Sequence, residues 1–115
     1  MPDVDELVKQ IVDFRDARDW KQFHNPKDMA ISLILEAAEL LEHFQWKNEI
    51  EFKKSLKTNR RQIAEELADV LYWILLISHD LRIDPTEALR QKMVQNELKY
   101  PIHKAKGRAT KYTRL

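Results

Sequence analysis

The 115-residue chain contains no cysteine. That absence excludes disulfides, thiolate metal sites, iron–sulfur clusters and cysteine nucleophiles together, and it fits a reducing compartment. Glycine occurs once and proline four times, so the turn density of an all-β sandwich or barrel is missing. No apolar run approaches the roughly 18 residues that a bilayer crossing needs. The opening "MPDVDELVKQ" carries acids where a secretory leader would carry bases and an apolar core. The expectation is a cytoplasmic chain with no membrane contact.

What the sequence does have is helix-forming residues, with Leu, Glu, Lys, Ala, Gln and Arg dominating an apolar content of 43%. This length supports one real core and no second comfortable domain. The expected fold is therefore all-α, a small helical bundle of four to five helices over residues 1–101. Residues 102–115 form a basic C-terminal tail. Residues 101–115 hold five Lys/Arg and no acid, against fifteen bases and nineteen acids in residues 1–100. Short basic termini are more often solvated than bound to nucleic acid, so nucleic acid is not the expected partner.

Apolar positions Val4, Leu7, Val8, Ile11, Val12 and Phe14 recur at helical spacing and predict a first helix from Asp3 to about Trp20. In "HNPKD", Asn25 can cap, Pro26 suits the first helical position and Asp28 sits where a capping acid would reach back. A second helix should run from Pro26 to about Trp46. "KNEIEFKKSLKTNRR" predicts a short, weakly amphipathic helix ending near Thr58 and Asn59, and a long apolar helix follows from about Arg60 to Leu81. Asp84, Pro85 and Glu87 repeat the cap, proline and acid pattern and open a last helix, which Tyr100 and Pro101 stop. Beyond it "IHKAKGRATKYTRL" lacks periodicity and should order only by lying against something else.

The chemistry is concentrated in "LILEAAELLEHFQW", where acids interrupt a helix that is otherwise apolar nearly all round. Glu36 and Glu39 lie about 60° apart on one face. Ser32 and His43 share that stripe, and Ile31, Ile34, Ala37, Ala38, Leu41 and Phe44 fill the remaining directions. "EELADVLYWILLI" repeats the device with Glu66 and Asp69. Aligning Glu36 with Glu66 and Glu39 with Asp69 also pairs Ala38 with Ala68 and Leu41 with Leu71, so the two stripes can face each other in an antiparallel pair. Four carboxylates in one pocket raise one another's pKa values unless a cation compensates them. All-oxygen donors select hard divalent ions, Mg²⁺ first and Mn²⁺ second, and Mg²⁺ commonly shares its coordination with substrate phosphates.

An isolated E-x-x-E is usually solvated surface. Two such pairs on apolar helices tip the balance toward metal. A di-iron bundle is excluded because the residues three before His24, His43, His79 and His103 are Lys21, Leu40, Leu76 and Tyr100, so no Glu-x-x-His occurs. Trp46 lies seven residues after Glu39 and Trp73 seven after Glu66, and Trp20 clusters with Phe23 and His24. One Trp is more often core than platform, but three beside an acid site suggest a slot where a planar base can stack. In "KMVQNELKYP", Lys92, Asn96 and Lys99 share a face that could meet phosphates or simply be solvated, and spacing leaves both open.

Taken in order, "FRDARDWKQFHNP", "EAAELLEHFQW", "EELADVLYW", "KMVQNELKYP" and "KYT" resemble the MazG-type all-α nucleoside triphosphate pyrophosphohydrolases, in particular their dCTP pyrophosphatase branch. The resemblance covers nearly the whole chain. It implies that Glu36, Glu39, Glu66 and Asp69 hold Mg²⁺ for cleavage between the α and β phosphates of dCTP or a modified dCTP, giving monophosphate and pyrophosphate. It further implies a base pocket of Trp20, His24, Trp46 and Trp73, with Lys92, Asn96 and Tyr100 near phosphate. A homo-oligomer, commonly a tetramer and otherwise a dimer, is implied too, with pockets that draw on neighbouring subunits. Two positions depart from parts of the family: Leu35 stands where many members have an acid, and Ile11 where some animal members have a His. Glu36, Glu39, Glu42 and Glu65 all remain candidates for the general base. The competing class is a non-enzymatic helical interaction module whose basic tail binds nucleic acid.

Overall fold

The computed structural model describes all residues, 1–115, and contains helices and turns without a strand. The chain divides into two compact units, Met1–Arg82 and Ile83–Leu115. Four helices make the first unit: α1 (Val4–Ala17), α2 (Pro26–Glu42), α3 (Glu49–Thr58) and α4 (Arg60–Asp80). The second holds α5 (Pro85–Lys99) and the one-turn α6 (Ile102–Ala105). No helix is long and apolar enough to cross a membrane.

Side chains at the helix starts satisfy amide groups that have no partner within the helix. Asp3 accepts from the Glu6 amide at 2.9 Å and Asn25 from the Asp28 amide at 2.9 Å. Asp28 does reach back, but to the Asn25 side-chain amide at 2.7 Å. Asp84 accepts from the Thr86 and Glu87 amides at 3.0 and 3.1 Å, and Asn48 caps α3 in the same way. Asn25 and Asp84 each precede a proline at the first helical position, where its missing N–H costs nothing.

Two helices end earlier than their apolar periodicity predicts. α1 stops at Ala17 rather than Trp20 because Asp19 turns into the left-handed region (φ 53°), and the Trp20 amide folds back onto the Arg15 carbonyl at 3.2 Å. α2 stops at Glu42 rather than Trp46. Trp46 itself is left-handed (φ 66°), while Lys47 Nζ donates to the exposed-end His43 carbonyl at 2.6 Å and Ser55 Oγ donates to the same oxygen at 3.2 Å. Asn59 Nδ2 completes this knot by donating to Ser55 Oγ at 2.9 Å. A buried serine thus fastens the end of α2 to α3.

Within the first unit α2 and α4 form the most extensive helix pair, with α1 and α3 also packed on α4. The pair is antiparallel: His43 near the end of α2 meets Glu66 early in α4, whereas His24, just before α2, meets Trp73 further along α4. Met29, Leu75 and Leu76 are its buried apolar residues. Arg15 is buried as well, 1% exposed, and its guanidinium forms a two-pronged ion pair with Asp80 at 2.7 and 2.8 Å. Ile31, Ile34, Leu35 and Leu41 of α2 and Leu67, Leu71 and Ile74 of α4 remain exposed in the single chain.

In the second unit the stretch after Pro101 lies back on the end of α5. Tyr112 packs edge-on against Tyr100 at 5.9 Å, its amide donates to the Tyr100 hydroxyl at 3.4 Å, and Lys99 Nζ sits 4.8 Å from its ring centre.

Removing one partner of a buried ion pair leaves an uncompensated charge, so Asp80→Ala should lose about 3–5 kcal/mol of folding stability. Hydrogen bonds from Arg15 hold the Asp80 carboxyl below its ordinary 3.8. A depressed acid contributes its full stability above the unfolded value and loses it as pH falls through the folded value. Urea titrations should therefore show the gap between parent and Asp80→Ala at its widest near neutrality, narrowing below pH 3.8.

Candidate active site

A cavity of about 570 Å³ opens in the first unit, within the size range of small-molecule sites. α1 contributes Gln10, Ile11 and Phe14, the turn after it Trp20 and His24, α2 Glu36, and α4 Asp69, Tyr72 and Trp73. These side chains arrive from one face of each helix, because residues three and four apart share a face. Ile11 and Phe14 are so related on α1, and Asp69, Tyr72 and Trp73 on α4.

Its walls are aromatic. Phe14 meets Trp20 edge-on at 5.6 Å, Tyr72 meets Trp73 at 5.1 Å, and His24 meets Trp73 at 5.3 Å. Edge-to-face contacts fix ring planes without filling the space above them. Burial pushes the Tyr72 phenol up, so it keeps its proton and stays a donor. Arg18 lies 3.8 Å over the Phe14 ring.

Glu36 and Asp69 give the cavity an acidic part. Burial pushes the Glu36 carboxyl up from 4.5, and the charges of Glu39, Asp69 and Glu66 push it further. The other three acids named by the sequence pattern therefore lie close enough, on α2 and across to α4, to act on Glu36. Glu66 Oε2 is buried without a hydrogen-bond donor. His43 Nε2 comes within 2.6 Å of it, a charge contact when the imidazole is protonated, but not in hydrogen-bond alignment.

Neighbouring carboxylates, one with a buried oxygen that lacks an aligned hydrogen bond, are the kind of donor a hard divalent cation takes. No three of the chain's His, Asp and Glu side chains already surround a single point. Coordination therefore requires the acids to turn inward, and all but Asp69 are glutamates with rotatable stems. The donor types fit a divalent ion in chemistry.

Of the expected base-pocket residues, the structure brings Trp20, His24 and Trp73 into the cavity. Trp46 is not part of its lining and is 91% exposed, because α2 ends four residues earlier and the indole leaves the acid stripe. Lys92, Asn96 and Tyr100 belong to the second unit, where Asn96 Nδ2 contacts Met93 Sδ at 3.8 Å and Tyr100 packs on Tyr112. Sequence reasoning passed over Gln10, Phe14 and Tyr72 as cavity residues. Phe14 looked like core, Tyr72 was one apolar letter in "VLYW", and Gln10 carried no signal.

The antiparallel helix pair thus brings one acid from each helix, Glu36 and Asp69, to an aromatic cavity in an all-α chain, the arrangement that the resemblance to the pyrophosphohydrolases implies. Comparison with known proteins agrees: residues 31–115 match the model of the MazG-like family. The dCTP pyrophosphatase 1 proteins of Bos taurus and Homo sapiens are each 35% identical over 99% of this chain, spanning 69% and 68% of their own length. A solved pyrophosphatase from Archaeoglobus fulgidus superposes with a TM-score of 0.80 at 42% identity, covering 84% of this chain and 91% of that one. The chain belongs to the MazG-like family.

Because burial and its acid neighbours raise Glu36, its ionised form opposes folding above the folded pKa, and that opposition fades as pH falls toward the unfolded 4.5. With chelator present, Glu36→Gln should be more stable than the parent at pH 7 by about 0.5 kcal/mol, and no more stable near pH 4. Adding Mg²⁺ should raise the melting temperature of the parent more than that of the variant.

Proposed function

We propose that this chain is a nucleoside triphosphate pyrophosphohydrolase, dependent on Mg²⁺ or Mn²⁺, that cleaves dCTP or a modified dCTP between the α and β phosphates to yield the monophosphate and pyrophosphate. The single observation carrying this reading is the approach of Glu39, Glu66 and Asp69 to Glu36 beside an aromatic cavity that Glu36 and Asp69 line. The dCTP pyrophosphatase names of the relatives support the reaction class and the base.

Glu36, Glu39, Glu66 and Asp69 would hold the ion. When bound, the cation supplies positive charge against the phosphate chain and lowers the pKa of water. The chain's own contribution is placement. Trp20, His24, Trp73 and Tyr72 wall the base and exclude water from it, while Glu36 and Asp69 set the end of the cavity to which the phosphate chain must point. Proton removal from the attacking water falls to a neighbouring carboxylate, with Glu36, Glu39, Glu42 and Glu65 as the candidates. Lys92, Asn96 and Tyr100 are assigned to phosphate on the family resemblance.

The exposed apolar faces of α2 and α4 support a homo-oligomer, a tetramer or a dimer. In such an assembly Trp46, which leaves its own subunit's cavity, would serve a neighbour's base pocket. Housekeeping of the cytoplasmic nucleotide pool is the corresponding role.

Nucleoside triphosphates offered with Mg²⁺ should yield pyrophosphate, with dCTP the preferred base, and EDTA should abolish turnover. Glu39→Gln should fold normally and lose roughly 100-fold or more in kcat/KM. Orthophosphate as the first product would overturn the assignment. Indifference to EDTA together with salt-sensitive nucleic-acid binding would favour a non-enzymatic module.

A further inference from the structure

His24 has a one-sided neighbour. Arg15 Nη1 lies 3.5 Å from His24 Nδ1, and the same guanidinium is clamped by Asp80 at 2.7 and 2.8 Å. A guanidinium only donates and does not lose its proton in proteins. Nδ1 must therefore face it with a lone pair, since an N–H there would set donor against donor. A protonated imidazole would set one positive charge against another at the same distance.

The clamp makes this orientation durable. Arg15 is 1% exposed and cannot swing to solvent, and both Asp80 oxygens are engaged by it. His24 itself lines the cavity and packs on Trp73. With Nδ1 committed to Arg15, Nε2 is the polar atom the ring has left for a ligand.

We propose that Arg15 and Asp80 are positioning residues for His24, fixing its neutral Nε2–H tautomer so that the cavity offers a bound base a hydrogen-bond donor at this point. The complementary group is an acceptor on the base edge, a carbonyl oxygen or an unprotonated ring nitrogen, and an exocyclic amine is disfavoured there. The pair spans α1 and the end of α4, so one interaction serves both folding and recognition. Burial and the Arg15 charge hold the His24 imidazole below its ordinary 6.5, against a smaller opposing pull from Asp80, which agrees with a neutral ring. What the cavity binds rests on the nucleotide reading above. The tautomer does not.

The test is therefore made first on the ligand-free full-length chain, by long-range ¹H–¹⁵N NMR of the histidine side chains at neutral pH, with His24→Gln used for assignment. His24 should show a bare Nδ1 and a protonated Nε2, while exposed His79 and His103 show averaged tautomers. A protonated Nδ1, or an imidazolium, at His24 would overturn the proposal even if the chain hydrolyses dCTP. The Arg15→Met/Asp80→Leu double variant replaces the ion pair with apolar bulk that can preserve the fold. In it His24 should average between tautomers and the KM for dCTP should rise about tenfold, with kcat changed less. A folded double variant that keeps both the His24 spectrum and the KM would show a merely structural pair, and would equally overturn the proposal. If the double variant does not fold, the parent spectrum decides. Loss of hydrolysis in the parent with the expected His24 spectrum would instead sink the nucleotide assignment and leave the positioning intact.

Discussion

Like charges on two helices packed face to face set the terms for the rest of this molecule. Helices α2 and α4 bury apolar residues against each other, and the same seam brings Glu39, Glu66 and Asp69 within reach of Glu36. A fold selected for stability alone would not keep four acids there, because each raises the cost of ionising its neighbours. Burial and then these neighbours raise the Glu36 carboxyl, and a buried Glu66 oxygen has the His43 imidazole 2.6 Å away but out of hydrogen-bond alignment. In the proposed function, a divalent cation bound there would turn the same arrangement from a liability into a binding site. Local departure from the most stable packing is the mark of a functional site.

The aromatic cavity depends on how α1 is held. α1 is short and its final turn breaks at Asp19, yet it delivers Gln10, Ile11 and Phe14 to the cavity wall. The Arg15–Asp80 pair ties it to the far end of α4, across 65 residues of sequence. A buried ion pair is weak evidence for net stability, since desolvation offsets most of the attraction. Its geometric definition is what it adds here: a planar fork of donors fixes distance and angle in a way that apolar contacts do not.

A chain this small with three buried apolar residues leaves much apolar surface outside. The exposed isoleucines and leucines of α2 and α4 lie on the helices that carry the acids, so whatever covers those faces also supports the site. This connects the proposed assembly to the proposed chemistry through shared helices.

The sequence by itself determined the all-α architecture, the helix starts and the acid stripes, because caps, prolines and the 3.6-residue period act through neighbours a few positions away. Asn25, Pro26, Asp84 and Pro85 could be read without knowing anything distant, and so could the spacing of Glu36 with Glu39 and of Glu66 with Asp69. Helix ends were less legible. The end of α2 is set by Lys47, Ser55 and Asn59 closing on one carbonyl, a contact between elements, and it moved Trp46 out of the stripe that periodicity had assigned it. Only the tertiary structure could seat Phe14 and Tyr72 in one cavity wall, or give Arg15 to Asp80 and thereby to His24. Local energetics decides which face a residue occupies on its own helix, but what that face meets depends on packing between segments far apart in the chain, and no periodicity encodes it.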